Sequence, residues 1–276
     1  MRHRAIDDLS GKKAVLTGAS SGIGRELALA LARRGAVLAL AARRADLLGA
    51  LADEISATGS PRPTVFPVDL AVPGAAAELG RQVLDSLGGV DIAINNAGTN
   101  LTGAQSVMAD SAAARQVFEV NLWSPMALTA AVLPAMRAAH SGVIVNVTST
   151  VQAVPLPLLG YYAASKAALA QATRSLRLEL AGTGIRVLEV VPGATDTALR
   201  DIDELPWKTA PPPTFPPVAP ASVAAAVVRA LERGAGRVVH PGYSLLPLEI
   251  PALGRLVAAV GGLRIDTHGA LAGPHR

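Results

Sequence analysis

The feature that most constrains this chain is a rhythm. Short, unbroken runs of Val, Ile, Leu and Ala alternate with longer stretches of helical spacing. The runs are KAVLT (13–17), AVLALAA (36–42), part of PTVFPVDL (63–70), VDIAIN (90–95), GVIVNVTS (142–149), GIRVLEVV (184–191) and GRVVH (236–240). Between them lie helical patterns, the plainest being GIGRELALALARRG, closed by Gly35, and the segments 160–181 and 221–233. A strand with one wet face would alternate apolar with polar. Strands apolar on both faces belong in a parallel sheet covered by helices on each side. The rhythm therefore predicts an α/β fold: a single doubly wound domain over 1–276, with about seven parallel strands. No internal repeat or domain boundary interrupts it.

Composition narrows the function classes. The 276 residues are 50% hydrophobic but only 3% aromatic, so Ala, Val and Leu must fill the core. The absence of cysteine excludes a disulfide framework, a thiolate metal site and a cysteine nucleophile, and it suits a cytoplasmic protein. His3, His140, His240, His268 and His275 show no ligand spacing, so no metal site is expected. Net charge is +4 with a pI near 9.8. The basic residues are scattered, however, and Arg33-Arg34 and Arg43-Arg44 form no extended patch. With few aromatics to stack on bases, nucleic-acid binding is not expected.

The N-terminal MRHRAIDDLSGKK lacks the apolar stretch of a signal peptide. Residues 245–263, LLPLEIPALGRLVAAVGGL, have the length of a membrane span. Glu249, Arg255, two prolines and three glycines interrupt them, so no transmembrane span is expected. The stretch reads as a cover over a pocket or a subunit interface, with peripheral membrane contact as a further option. The extension 241–276 otherwise has no assigned role. Residues 205–220, LPWKTAPPPTFPPVAP, are dense in proline and read as a stiff surface segment.

Two short motifs carry chemistry. TGASSGIG (Thr17–Gly24) follows the first strand and opens the first helix, where glycines let the backbone approach a pyrophosphate and helix amides face it. YYAASK (161–166) places two tyrosines ahead of a lysine. Helical residues four apart share a face, so a working pair is Tyr162 with Lys166, and Tyr161 is left to packing. A tyrosine with pKa of about 10 is a poor acid–base near neutrality. An ammonium about 4 Å away, at an effective dielectric of about 20, is worth roughly 4 kcal/mol, or about three pKa units. That shift makes general acid–base catalysis feasible.

With T-G-x-x-x-G-x-G, NNAG (Asn95–Gly98), Asn121 in VNLWSP, Ser149, Tyr162 with Lys166, and PGATDT (Pro192–Thr197) in this order, the chain resembles the short-chain dehydrogenase/reductase family. The resemblance runs from about Gly11 to Thr197 and more loosely to about residue 240. It implies a Rossmann-type oxidoreductase interconverting a carbonyl and an alcohol, with Asn121, Ser149, Tyr162 and Lys166 as catalytic residues. Ser149 would hold the substrate oxygen, Lys166 the nicotinamide ribose, and Asn121 a water leading from Lys166 to solvent. The implied cofactor contacts are Gly18, Ser20, Ser21, Gly22, Ile23, Gly24, Arg43, Arg44, Asp69, Leu70, Asn95, Ala97 and Gly98. Tyr162, Lys166, Pro192, Gly193, Thr195 and Thr197 complete the set. A homodimer or homotetramer is implied by the same resemblance.

An acidic residue ending the second strand would accept the ribose 2′-hydroxyl of NAD. Here Ala42 stands in that place and Arg43-Arg44 follow, with Arg43 able to pair with a 2′-phosphate through two charge-assisted bonds, which predicts NADP(H) over NAD(H). Residues 198–220 are expected to form a substrate lid, over a pocket lined partly by Trp207, Phe215 and Pro155–Leu159. The apolar VPLPLLG ahead of Tyr162 favours a lipophilic small-molecule substrate: steroid-like, fatty or alicyclic. Alternatively these residues only pack the lid down. A 3-oxoacyl thioester reductase, a catalytically idle NADP-binding protein and a non-redox relative are the other readings.

Overall fold

The structure, a computed structural model, describes residues 8–197, 205–209 and 217–271. Phe215 and most of the expected lid lie outside the described residues. The chain begins with β1 (Lys13–Thr17), α1 (Gly22–Ala32), β2 (Val37–Ala42), α2 (Ala45–Ala57) and β3 (Thr64–Pro67). It continues through α3 (Ala75–Leu87), β4 (Ile92–Asn95), the short α4 (Gln105–Met108), α5 (Ala112–Phe118) and α6 (Ser124–Ala138). A π-helical turn, Glu119–Trp123, joins α5 to α6. Then follow β5 (Gly142–Val147), a 3-10 turn at Thr150–Gln152, α7 (Gly160–Glu179), β6 (Ile185–Pro192), α8 (Pro220–Glu232) and β7 (Arg237–His240). The chain closes with α9 (Leu245–Glu249), α10 (Pro251–Leu263) and α11 (His268–Leu271).

The strands form one seven-stranded sheet in the order β3-β2-β1-β4-β5-β6-β7. Every pairing is parallel. Period-two alternation sends neighbouring residues to opposite faces. Ala14 and Leu16 of β1 join Leu38 and Leu40 of β2 against α1, α2 and α8. Val15, Ala39 and Ala41 point the other way, toward Leu79 and Val83 of α3 and Leu128 and Val132 of α6. Leu16, Leu38 and Leu40 are fully buried, each worth about 1.5–3 kcal/mol relative to exposure. The predicted doubly wound α/β fold is the observed one.

The order of the strands also fixes where a ligand can sit. From β1 the chain moves outward through β2 to β3, then returns to lay β4 on the opposite side of β1. The loops leaving the C-terminal ends of β1 and β4 therefore diverge toward opposite faces and open a crevice between them. Thr17, Gly18, Asn96 and Ala97 stand at that point.

Candidate active site

The turn after β1 is locked to the loop after β4. Thr17 Oγ1 accepts the amides of Asn96 and Ala97, both at 3.1 Å. Asn96 Nδ2 donates to the carbonyls of Thr17 at 2.9 Å and Gly18 at 3.3 Å. Gly18 has φ +68, and a Cβ there would lie 2.8 Å from Ala97 Cα. A Cβ on Gly24 would sit 2.1 Å from the Gly18 carbonyl oxygen, so glycine is what lets α1 start this close to the turn. Ser21 precedes α1 but makes no side-chain cap bond. Ser20 and Ser21 Oγ instead accept from Arg44 Nη2, at 3.0 and 2.9 Å. The first-turn amides of α1 and one guanidinium thus face the same space.

At the other end, α7 carries Tyr162 and Lys166 one turn apart. Lys166 is buried, with Nζ donating to the Val147 carbonyl at 2.9 Å and lying 5.9 Å from the Tyr162 ring centroid. Burial in this apolar setting lowers its ammonium pKa to about 8. Ser149 ends the chain segment leaving β5 and caps the following 3-10 turn, its Oγ accepting Val151 N–H at 3.3 Å. Tyr161 points elsewhere. Its hydroxyl donates to the Gln105 and Ala109 carbonyls near α4.

One cavity of about 810 Å³ joins these parts. Gly18, Ser20, Ser21, Gly22, Ile23, Gly24, Arg43, Arg44, Asp69, Leu70, Ala97 and Gly98 line one end of it. Ser149, Tyr162 and Lys166 line its middle, with Pro192, Gly193, Thr195 and Thr197 alongside. Asp69 accepts the Ala71 amide at 3.0 Å, and Thr197 packs over the glycine turn, its methyl 3.0 Å from where a Gly22 Cβ would be. The glycine contacts, the uncapped helix start and the arginine pair fit a phosphate-bearing dinucleotide.

Two of the residues expected to be catalytic or to contact the cofactor do not line the cavity. Asn95 is 2% exposed and faces into the protein, where Nδ2 donates to Asn146 Oδ1 at 2.8 Å and Thr129 Oγ1 at 3.2 Å. The alternation of β4 turns Asn95 inward, and Asn96 next to it reaches the cavity instead. Asn121, in the π-helical turn, is fully buried. Its Oδ1 accepts Thr99 N–H at 2.9 Å, and Nδ2 donates to Thr99 O at 2.8 Å and Ser165 Oγ at 2.9 Å. Ser165 Oγ in turn donates to the Tyr162 carbonyl at 2.8 Å. The amide that was expected to hold a water thus ties the start of α7 to the loop after β4.

The far end of the cavity was only partly legible. Of the expected lining, Leu156, Leu159 and Trp207 face it, with Val154 beside them, whereas Pro155, Pro157 and Leu158 do not. Trp207 packs against the cluster of Ala104, Leu158, Leu159, Leu205 and Ile265, and its backbone pairs with Ile265. Pro247, Leu256, Val257, Val260 and Gly261, from the 245–263 stretch read as a cover over a pocket or a subunit interface, also line it, with Tyr243, Ser244 and Arg264 beside them. They come from α9, α10, the turn before α9 and the residue capping α10, so the greasy C-terminal stretch is a cover over the cavity. Among the described residues no single helix is long and apolar enough to cross a membrane. Residues Gly242–Glu249 and Pro251–Leu263 are bent by 103° against each other.

Residues 12–204 match the family model described as short chain dehydrogenase. A short chain dehydrogenase of Pseudocercospora fijiensis is 40% identical over 197 residues, which cover 71% of this chain and 63% of that relative. The 11-beta-hydroxysteroid dehydrogenase A of Sesamum indicum is 32% identical over 247 residues, covering 86% of this chain and 70% of that one. An alcohol dehydrogenase of the archaeon Thermococcus sibiricus, solved complexed with 5-hydroxy-NADP, superposes with a TM-score of 0.72 at 29% identity. That superposition covers 83% of this chain and 96% of the other. The chain belongs to the short chain dehydrogenase family.

Proposed function

We propose that this protein is an NADP(H)-dependent oxidoreductase that interconverts a carbonyl and a secondary alcohol on a lipophilic small molecule. The observation that carries the reading is the single cavity in which the glycine turn, the Ser149–Tyr162–Lys166 group and an apolar far end are continuous. The glycine turn, the start of α1 and Asp69 would hold the dinucleotide. When bound, it supplies the hydride that reaches the carbonyl carbon. Tyr162 gives its hydroxyl proton to the oxygen that becomes the alcohol. Lys166, held by the Val147 carbonyl, places a positive charge beside the ring and stabilises the phenolate that remains. Ser149 Oγ, fixed at the head of its turn, orients the substrate oxygen by hydrogen bond. Asn121 acts at one remove, fixing the first turn of α7 through Ser165.

Preference for the 2′-phosphorylated cofactor rests on Ala42, Arg43 and Arg44. The Arg44 guanidinium already lies against Ser20 and Ser21, leaving a cation and two hydroxyls where a phosphate would enter. The Thermococcus sibiricus relative carries a phosphorylated dinucleotide analogue, which supports the same reading. Leu156, Leu159, Trp207, Leu256 and Val260 favour an apolar substrate body, in keeping with the steroid named for the Sesamum indicum relative. The test is cofactor consumption by purified protein across steroid, cyclic, aliphatic and acetoacetyl-thioester ketones, with NADPH and NADH in parallel. Turnover of the lipophilic ketones with NADPH is expected. Best turnover of the thioester would instead favour a 3-oxoacyl thioester reductase. Arg44→Ala should weaken NADPH by about tenfold and leave NADH unchanged, given the worth of a charge-assisted bond. Equal loss for both would contradict the 2′-phosphate role.

A further inference from the structure

Strand β6 carries a carboxylate where an apolar residue would pack more cheaply. Glu189 is 1% exposed, between Leu188 and Val190, and sits in register with Asn146 on β5 and Arg237 on β7. A buried carboxylate costs stability unless its partners compensate fully. Here they do not. Oε1 accepts from Gln152 Nε2 at a long 3.4 Å and lies 3.4 Å from Thr148 Oγ1, whose one proton it shares with the Val190 carbonyl at 3.1 Å. Oε2 lies 3.4 Å from Arg237 Nε and 4.0 Å from Arg174 Nε, yet neither Oε2 nor Arg237 Nε makes a hydrogen bond among the described residues. Arg177 adds positive charge nearby but donates its bonds to the Val187 and Gly236 carbonyls.

The group makes sense by what it connects. Thr148 precedes Ser149, and Gln152 ends the turn that Ser149 caps. On the other side, the Nη1 of Arg237 pairs with Glu249, the last residue of α9 in the cavity cover. We propose that Glu189 is a positioning residue: through Thr148 and Gln152 it holds the Ser149 turn, and through Arg237 and Glu249 it holds the C-terminal cover, so that the two sides of the substrate cavity are set together. This rests on the reading of Ser149 and the cover as flanking the substrate.

Hydrogen exchange on the full chain tests the clamp without needing turnover. Glu189→Gln keeps the shape and removes the charge; Glu249→Gln changes a half-exposed side chain and leaves the core intact. Glu249→Gln should raise exchange by about fivefold not only in 245–260 but also in 150–154, with α1 unchanged, as expected for groups coupled through one network. Glu189→Gln should do the same. Exchange that rises only around the substituted residue would overturn the clamp. Kinetically, Glu249→Gln should raise KM for the best lipophilic ketone about fivefold and leave KM for NADPH unchanged. An unchanged ketone KM would overturn the positioning role. If the wild-type protein turns over no ketone, the proposed function fails, while coupled exchange still supports the clamp and local exchange still overturns it.

Discussion

Lys166 is 2% exposed, and burial brings its ammonium down from 10.5 to about 8. Below pH 8 both folded and unfolded chains carry the charge, so the desolvation penalty is fully present. Between about 8 and 10.5 the unfolded chain binds the extra proton, and stability contributed at this site rises with pH. Lys166→Met should therefore stabilise the cofactor-free protein at pH 7. The penalty removed is about 3 kcal/mol, less about 1–2 kcal/mol for the orphaned Val147 carbonyl. The gain should fade toward pH 10.5, as urea unfolding at two pH values would show, while turnover is lost at both. Destabilisation at pH 7 would contradict this account of the site. Gly24→Ala is the sharpest backbone test. Its Cβ meets a carbonyl oxygen at 2.1 Å, so the turn must move and NADPH binding should drop at least tenfold in a titration. That Tyr162, Lys166 and Ser149 line one cavity was legible in motif order and, for the Tyr–Lys pair, in helical spacing. Asn95 against Asn96 was not, because one residue of register decides which of two identical side chains faces the cavity.

The elements were legible where patterning is local. The continuous apolar runs gave every strand of the sheet, and α7 and α8 end within two residues of their expected bounds. The cover was legible only as one of two roles for 245–263, pocket cover or subunit interface, because α9 and α10 reach the cavity through contacts distant in sequence that no local pattern encodes. Inside the sheet, Asn95, Asn146 and Thr173 form a buried polar chain from β4 through β5 to α7, with Thr129 joining from α6. Asn95→Ala would leave Asn146 Oδ1 without its donor, a loss of about 1–3 kcal/mol. Denaturant unfolding should show that loss, and the folded variant should bind NADPH with unchanged affinity. A selective loss of affinity with unchanged stability would put Asn95 back in the cofactor site.

On the scale of the whole molecule, the strand order makes the crevice, one loop pair closes the end at the glycine turn, and the C-terminal cover closes the other. Tyr162 and Lys166 line the cavity from the first turns of α7. That arrangement concentrates the central claim on a choice between adjacent tyrosines: Tyr161 hydrogen-bonds to α4 on the outside, and Tyr162 faces the cavity. The most direct measurement is NADPH consumption with the best ketone by the wild-type protein, Tyr161→Phe and Tyr162→Phe. Tyr161→Phe should retain turnover, and Tyr162→Phe should lose about 10²–10⁴-fold while still binding NADPH. Full activity in Tyr162→Phe, or its loss in Tyr161→Phe alone, would contradict the account.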